Sequence, residues 1–343
     1  MKNVLLDHVC PIGHSSLINF YIDNISKKFD KIILNKNIKD NIIKKKKIEF
    51  LDFKKSFVIR IYNLIKLFKN FKKNKVYSIT MLSYEPLVLI IINIFCDLKN
   101  MKLFVFEHDN LNKKKPLKLF FIKILNKKII HLTYSEPAYN FLKKKLLRRS
   151  KLIDHPIIKY NFNFEKDYKN INIKEKTILI PTRHHYDESL IKKIVISNPR
   201  INFLILLKGS NIKKKKFDNF QNVSTLEKIS DRDLNKINSI YLPLKNNVYD
   251  FRVSAWVYRG IGFNKKIILD NNILYKFEKK KFPNYIFKNT KNIKNILTKN
   301  LKNSKNILFT KNYNRKLIKE FNNLPNLYWR GGRAVEGARL ESV

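Results

Sequence analysis

One feature constrains this chain more than any other: an alternation of short apolar runs with longer amphipathic ones, which occurs twice. Runs of four to six apolar residues are too short for helices and read as buried strands. The longer runs carry apolar residues every three or four positions and read as helices. In the first half, strands are expected at 3–6, 31–34, 76–80, 102–106 and 129–133, with helices at 14–29, 55–71, 85–95, 117–125 and 136–147. Over 55–71, Phe57, Ile61, Leu64, Ile65 and Phe68 fall on one helical face. The second half restarts with strands at 177–181, 202–207, 239–242 and 266–269 and helices at 188–196, 231–237 and 253–263. A helix between successive strands returns the chain to the same end of the sheet, so the strands must run parallel. Between the halves lies a polar stretch rich in Asn and Lys, without a period. The expectation is therefore α/β: two Rossmann-like, doubly wound parallel-sheet domains, 1–158 and 177–325, joined by a linker at 159–176 and facing each other across a cleft. A chain of 343 residues is long enough to give each domain its own core.

The formal charge of +45 would ordinarily direct attention to nucleic acid or an anionic membrane. Its source is Lys, which accompanies heavy Asn and Ile along nearly the whole chain. The three share AT-rich codons, so genome composition accounts for the excess. The charge still favours phosphate-bearing ligands and anionic lipid headgroups. Lys runs such as 44–47 and 213–216 are not interleaved with aromatics in a recognisable module, so a nucleic-acid partner is not expected. Cys10 and Cys96 lie far apart with no CxxC pattern, which argues against a disulfide scaffold and a zinc site. The N-terminal apolar run is shorter than a signal peptide requires, and the run 86–96 is too short to span a bilayer. A cytoplasmic location follows as an expectation.

The segment 330–343 differs in kind. It contains no Lys, Asn or Ile and holds three of the chain's seven glycines, Gly331, Gly332 and Gly337. The string resembles a serine-type transfer-RNA gene read as codons, which implies a read-through tail that is not native to the fold.

Outside that tail the glycines are Gly13, Gly209, Gly260 and Gly262. A chain so poor in glycine is expected to keep it where a side chain would not fit. Gly13 follows the first strand and precedes His14 at a helix start, where free amides suit an anion; the GxGxxG dinucleotide fingerprint is absent. Apolar strand 102–106 ends in Glu107, His108, Asp109 and Asn110. His108 is a candidate general base, because imidazole titrates near neutrality, with Glu107 or Asp109 to orient it or to accept a proton. Arg183 follows one second-half strand, and Lys208 with Gly209 follows another. Each places a cation where a diphosphate could be met, Arg by a bidentate fork and Lys as a point charge.

The stretch from Tyr249 to Ile268, containing Arg252, Ser254, Arg259, Gly260 and Gly262, resembles the donor-binding loop and helix of the nucleotide-sugar-dependent glycosyltransferases of the GT-B class, of bacterial surface-glycan type. Ile240 to Leu244 is similar to the strand before that loop, and Thr133-Tyr134-Ser135-Glu136 to the last cleft-facing strand and helix start of the N-terminal domain. The resemblance implies a hexosyltransferase that moves a sugar from a nucleotide-sugar to a glycan or lipid-linked acceptor for surface polysaccharide. The second domain would hold the donor through Arg183, Lys208, Gly209, Arg252, Ser254 and Arg259. The first would hold the acceptor, with His108, Glu107 and His14 as the catalytic candidates. No metal and no cofactor beyond the donor substrate is implied, and an anionic membrane surface is a further expected partner. Many retaining members carry Glu where this chain has Arg259. An epimerase of the same fold, an inactive relative and a basic nucleic-acid-binding protein are the alternatives.

Overall fold

The computed structural model describes residues 3–10, 14–43, 48–53, 56–71, 78–107, 111, 116–158, 176–182, 186–207, 216–227, 229–244, 251, 253–289, 293–298, 301 and 306–324. The first sheet contains β1 (Asn3–Asp7), β2 (Lys31–Asn35), β3 (Ile48–Leu51), β4 (Ser78–Met81), β5 (Lys102–Glu107), β6 (Ile130–Thr133) and β7 (Ser150–Leu152). Their order is β3-β2-β1-β4-β5-β6-β7, every pair parallel. The second contains β8 (Thr177–Pro181), β9 (Asn202–Leu206), β10 (Val223–Leu226), β11 (Ser239–Leu242), β12 (Lys266–Leu269) and β13 (Ile286–Lys288). It is ordered β10-β9-β8-β11-β12-β13 and is also parallel throughout. Both sheets grow outward in one direction, then jump back and grow in the other. The switch points lie between β1 and β4 and between β8 and β11, and such points open a crevice at the strands' carboxyl ends.

The strands are apolar on both faces because helices cover both. Along β5, Phe104 and Phe106 point into one core while Leu103 and Val105 point into the other. Along β12, Ile267 and Leu269 face one core and Ile268 the other. The covering helices of the first domain are α1 (Ser15–Ile25), α2 (Phe57–Lys69), α3 (Pro86–Leu98), α4 (Pro116–Ile124) and α5 (Glu136–Asn140), the last continued by a π-helical turn at Phe141–Lys145. Those of the second are α6 (Glu188–Ile196), α7 (Asp231–Lys236), α8 (Ala255–Gly262), α9 (Ile273–Lys281) and α10 (Ile293–Thr298). On α2 the buried residues are Leu64, Leu67 and Phe68, whereas Phe57 stands exposed, so the inward face is rotated from the expected one. Gly260 lets α8 press onto the sheet: a Cβ there would stand 2.3 Å from Ile267 Cδ1 and 2.9 Å from Ile240 Cδ1.

The last helix, α11 (Asn306–Asn322), crosses back to the first domain. Leu317, Phe321 and Leu324 complete the core of Leu5, Tyr21 and Phe106. The Phe321 ring lies 5.3 Å from Tyr21 and stacks on Phe106 at 5.9 Å and 12°. On the way, the Asn314 side chain clasps the Ile157 backbone, accepting from its N–H at 3.0 Å and donating to its carbonyl at 2.7 Å. The expected linker lies outside the described residues except for Lys176, and the tail 330–343 lies wholly outside them.

A buried polar cluster joins α8, α9 and the 153–158 crossover. Tyr258 Oη donates to Glu278 at 3.2 Å, and Lys281 pairs with Asp154 at 2.5 Å. Burial raises the Glu278 carboxyl from its ordinary 4.5 to about 7. A carboxyl that holds its proton more tightly when folded favours the fold fully below its unfolded value, and that contribution is lost as pH rises through about 7. Glu278→Gln is therefore expected to stabilise the chain at pH 8, by up to about 3 kcal/mol on the linkage relation. The gain should shrink towards nothing near pH 4. Denaturant titration of both forms at the two pH values checks the sign; equal stability at pH 8 contradicts it.

Candidate functional site at the domain junction

The carboxyl ends of the first sheet carry a ring of polar side chains. Asp7 ends β1 and is fully buried. Its Oδ1 accepts from the backbone N–H of Val9 at 3.1 Å and of Cys10 at 2.8 Å, and from the Ser83 hydroxyl beyond β4. Burial outweighs these bonds and pushes the Asp7 carboxyl up to about 6, while Oδ2 has no partner. His8, also buried, is pushed down to about 3 by burial and by the Arg60 charge, so it remains neutral. Glu107 ends β5. It accepts from Tyr84 Oη at 2.5 Å and shares a hydrogen bond with His131 Nδ1 at 2.6 Å. Its side chain is fully enclosed, so it ties the end of β5 to the segment after β4 and to His131 within β6, one residue before His108 in the sequence.

His14 stands at the N-cap of α1, half-buried, and makes no capping hydrogen bond from its side chain. Its imidazole is close enough to lower the proton affinity of His155. His155 lies between Tyr134, at 5.0 Å, and Tyr258, at 4.5 Å, so one ring from each domain packs on the crossover. Burial pushes His155 down to about 3, which leaves it an uncharged spacer.

The entrance to α8 is held from the first domain. The Ser135 hydroxyl donates to the Phe251 carbonyl at 3.1 Å, and the Phe251 ring packs 4.6 Å from Phe141. Phe251 also rests on the cluster of Leu111, Ile122, Ala138 and Leu142, and Val253 touches a core in each domain. Ser254 is the buried N-cap of α8, with no capping bond from its side chain. The first amides of this helix therefore open at the seam between the domains, where an anion would be met by donors and by the positive end of the helix dipole. Arg259, in the last turn, pairs with Asp231 at 2.8 Å and lies over the Trp256 ring at 4.8 Å. It fastens α8 to α7. A shallow groove lined by Val195, Pro199, Asn202 and Phe220 opens at the opposite, amino end of β9, away from both switch points.

Of the residues singled out from the sequence, Glu107, His14 and Ser254 stand at strand ends or helix starts on the junction side, and Arg259 is engaged in an ion pair. His108, Arg183, Lys208, Gly209 and Arg252 lie outside the described residues. Sequence reasoning missed Asp7, Ser83, Tyr84 and His131. Asp7 could have been found by the rule that selected Glu107, a polar group ending an apolar strand. His131 could not, because it sits inside an apolar run. Among the described residues, no group of three or more His, Cys, Asp or Glu could hold a metal ion.

No family model matches the sequence, and no curated protein matches it. Solved structures do match. A glycosyltransferase from Rickettsia africae aligns with a TM-score of 0.64 at 13% identity, over 96% of this chain and 98% of that one. The Anabaena HepE protein, solved in complex with UDP-glucose, aligns with a TM-score of 0.60 at 9% identity, over 95% and 99% of the two chains. A Listeria monocytogenes protein assigned as a UDP-N-acetylglucosamine 2-epimerase aligns with a TM-score of 0.53 at 11% identity, over 93% and 91%. The chain has the GT-B architecture: two parallel-sheet α/β domains with the layout of these glycosyltransferase structures.

Proposed function

We propose that the chain is a glycosyltransferase that moves a sugar from a nucleotide-sugar donor to a glycan or lipid-linked acceptor, in the cytoplasm, for surface polysaccharide. The observation that carries this reading is the position of the α8 entrance, held at the domain seam by Ser135, Phe251 and Val253. A diphosphate there would meet the amides of α8 and the side chains of Ser254 and Arg252. Arg183, Lys208 and Gly209 would approach it from the neighbouring strand ends. These groups stabilise the charge that builds on the departing diphosphate. On the facing domain His14 or His108 would accept the acceptor hydroxyl's proton, and the Glu107–His131–Tyr84 network would keep the strand ends rigid beneath it. The likeness to HepE over 95% of this chain, that protein having been solved with UDP-glucose, supports a uridine nucleotide as the first donor to test.

Calorimetry with UDP tests the donor site. Arg252→Ala is expected to weaken UDP binding by roughly 1.5–3 kcal/mol, the range for a charge-assisted hydrogen bond. Arg252→Lys should recover only part of that, since a point charge cannot reproduce the bidentate fork. Unchanged affinity in Arg252→Ala would place the donor elsewhere. A second reading, a sugar-nucleotide epimerase, is favoured by the Listeria likeness. It requires turnover of UDP-N-acetylglucosamine alone, whereas a transferase releases UDP only when an acceptor or water takes the sugar.

A further inference from the structure

Helices α2, α3 and α4 connect β3 to β4, β4 to β5 and β5 to β6, and α3 packs against both of the others. Right-handed crossovers place all three on one face of the first sheet. The inner side of this layer is well buried: Leu64 and Phe68 of α2 and Val88, Leu89 and Ile92 of α3 fill the core beneath. The outer side is unusual. Ten of the sixteen large apolar side chains that stand exposed among the described residues fall on these three helices. They include Val58 at 72% exposure, Tyr62 at 65%, Leu98 at 70%, Leu117 at 65% and Phe120 at 55%. Scattered exposed apolar residues need no explanation, but a concentration on one layer does.

The same three helices carry one kind of charge. Lys66, Lys69, Lys118 and Lys123 lie on them, against a single acid, Asp97. That acid already accepts from the Asn126 amide at 2.7 Å. Apolar side chains flanked by cations, with no helix long and apolar enough to cross a bilayer among the described residues, suit a surface that lies in the interface of an anionic membrane. We propose that the α2–α3–α4 face docks on an anionic lipid bilayer. The helices begin at the carboxyl ends of the strands, and the Arg60–Glu85 ion pair ties the first turn of α2 to the start of α3. Val58, Leu117 and Phe120 therefore lie towards the cleft side of the face, and docking would bring the cleft mouth to the headgroup layer. The inference stands on this face and not on the transferase reading, so the two fail separately.

The test is sedimentation of the full chain with vesicles of phosphatidylglycerol and phosphatidylcholine mixed equally, against phosphatidylcholine alone. Binding is expected only to the anionic vesicles and should weaken as salt rises. A global charge of +45 could itself draw the chain to anionic lipid, so the decisive variant is apolar. The triple exchange Val58→Ser, Leu117→Ser, Phe120→Ser leaves the charge intact and is expected to reduce anionic-vesicle binding roughly tenfold or more, with an unchanged melting temperature. Lys118→Ala and Lys123→Ala should each reduce it about fivefold. Binding that ignores the triple exchange, equal binding to both vesicles, or no binding overturns the proposal. So does a stable dimer that the triple exchange dissociates, which would assign the face to a second copy.

Discussion

Phe321→Ala is expected to cost about 3–5 kcal/mol of folding stability, the range for removing a buried aromatic side chain. Phe321 is 4% exposed and touches the rings of Tyr21, Phe29 and Phe106, which all belong to the first domain. Its loss leaves a cavity walled by rigid rings that cannot collapse inward. The effect should appear as a lower denaturation midpoint of the first domain, although the exchange lies near the end of the second. Phe321→Leu should restore most of the loss, because it refills the volume. A change below about 1 kcal/mol for the alanine form would mean that α11 is not docked in this core.

His14→Ala is expected to lower turnover by roughly 10²–10⁴-fold, the usual contribution of a positioned general base. Because the His14 side chain makes no capping bond to α1, the helix should not suffer, and stability should change by less than about 1 kcal/mol. UDP affinity should stay within about twofold, since the donor is expected on the other domain. His108→Ala, one position after Glu107 in the sequence, is the necessary companion. If it removes turnover while His14→Ala keeps within about threefold of the parent, the base is His108. Steady-state rates with a fixed acceptor, together with calorimetry on both variants, separate the outcomes.

The architecture was legible because a doubly wound sheet writes itself into the chain as strand-length apolar runs between amphipathic ones. Every strand that borders a switch point, β1, β4, β8 and β11, was expected within two residues of its place. The edge strands were not. β3, β7, β10 and β13 include Glu49, Lys151, Ser224 and Lys288, since an edge has solvent beside it and tolerates polar residues. The helices α9, α10 and α11 were missed for a related reason. Each is narrow in its apolar stripe and crowded with Lys or Asn, so its period is faint. At the site, polar residues that end apolar strands could be read directly. The contacts that hold the α8 entrance could not, because Ser135 and Phe251 are 116 positions apart and meet only in the fold.

The return of α11 also has a consequence for the order of synthesis. The first domain's core is assembled from residues 5–153 and from Leu317, Phe321 and Leu324. A ribosome makes these two contributions with the whole second domain between them. Until the last helix emerges, the aromatic surface of Tyr21, Phe29 and Phe106 that Phe321 covers has no cover from its own chain. The first domain is thus begun before the second and completed only after it, and its exposed patch must be kept from other nascent chains for as long as the second domain takes to be made.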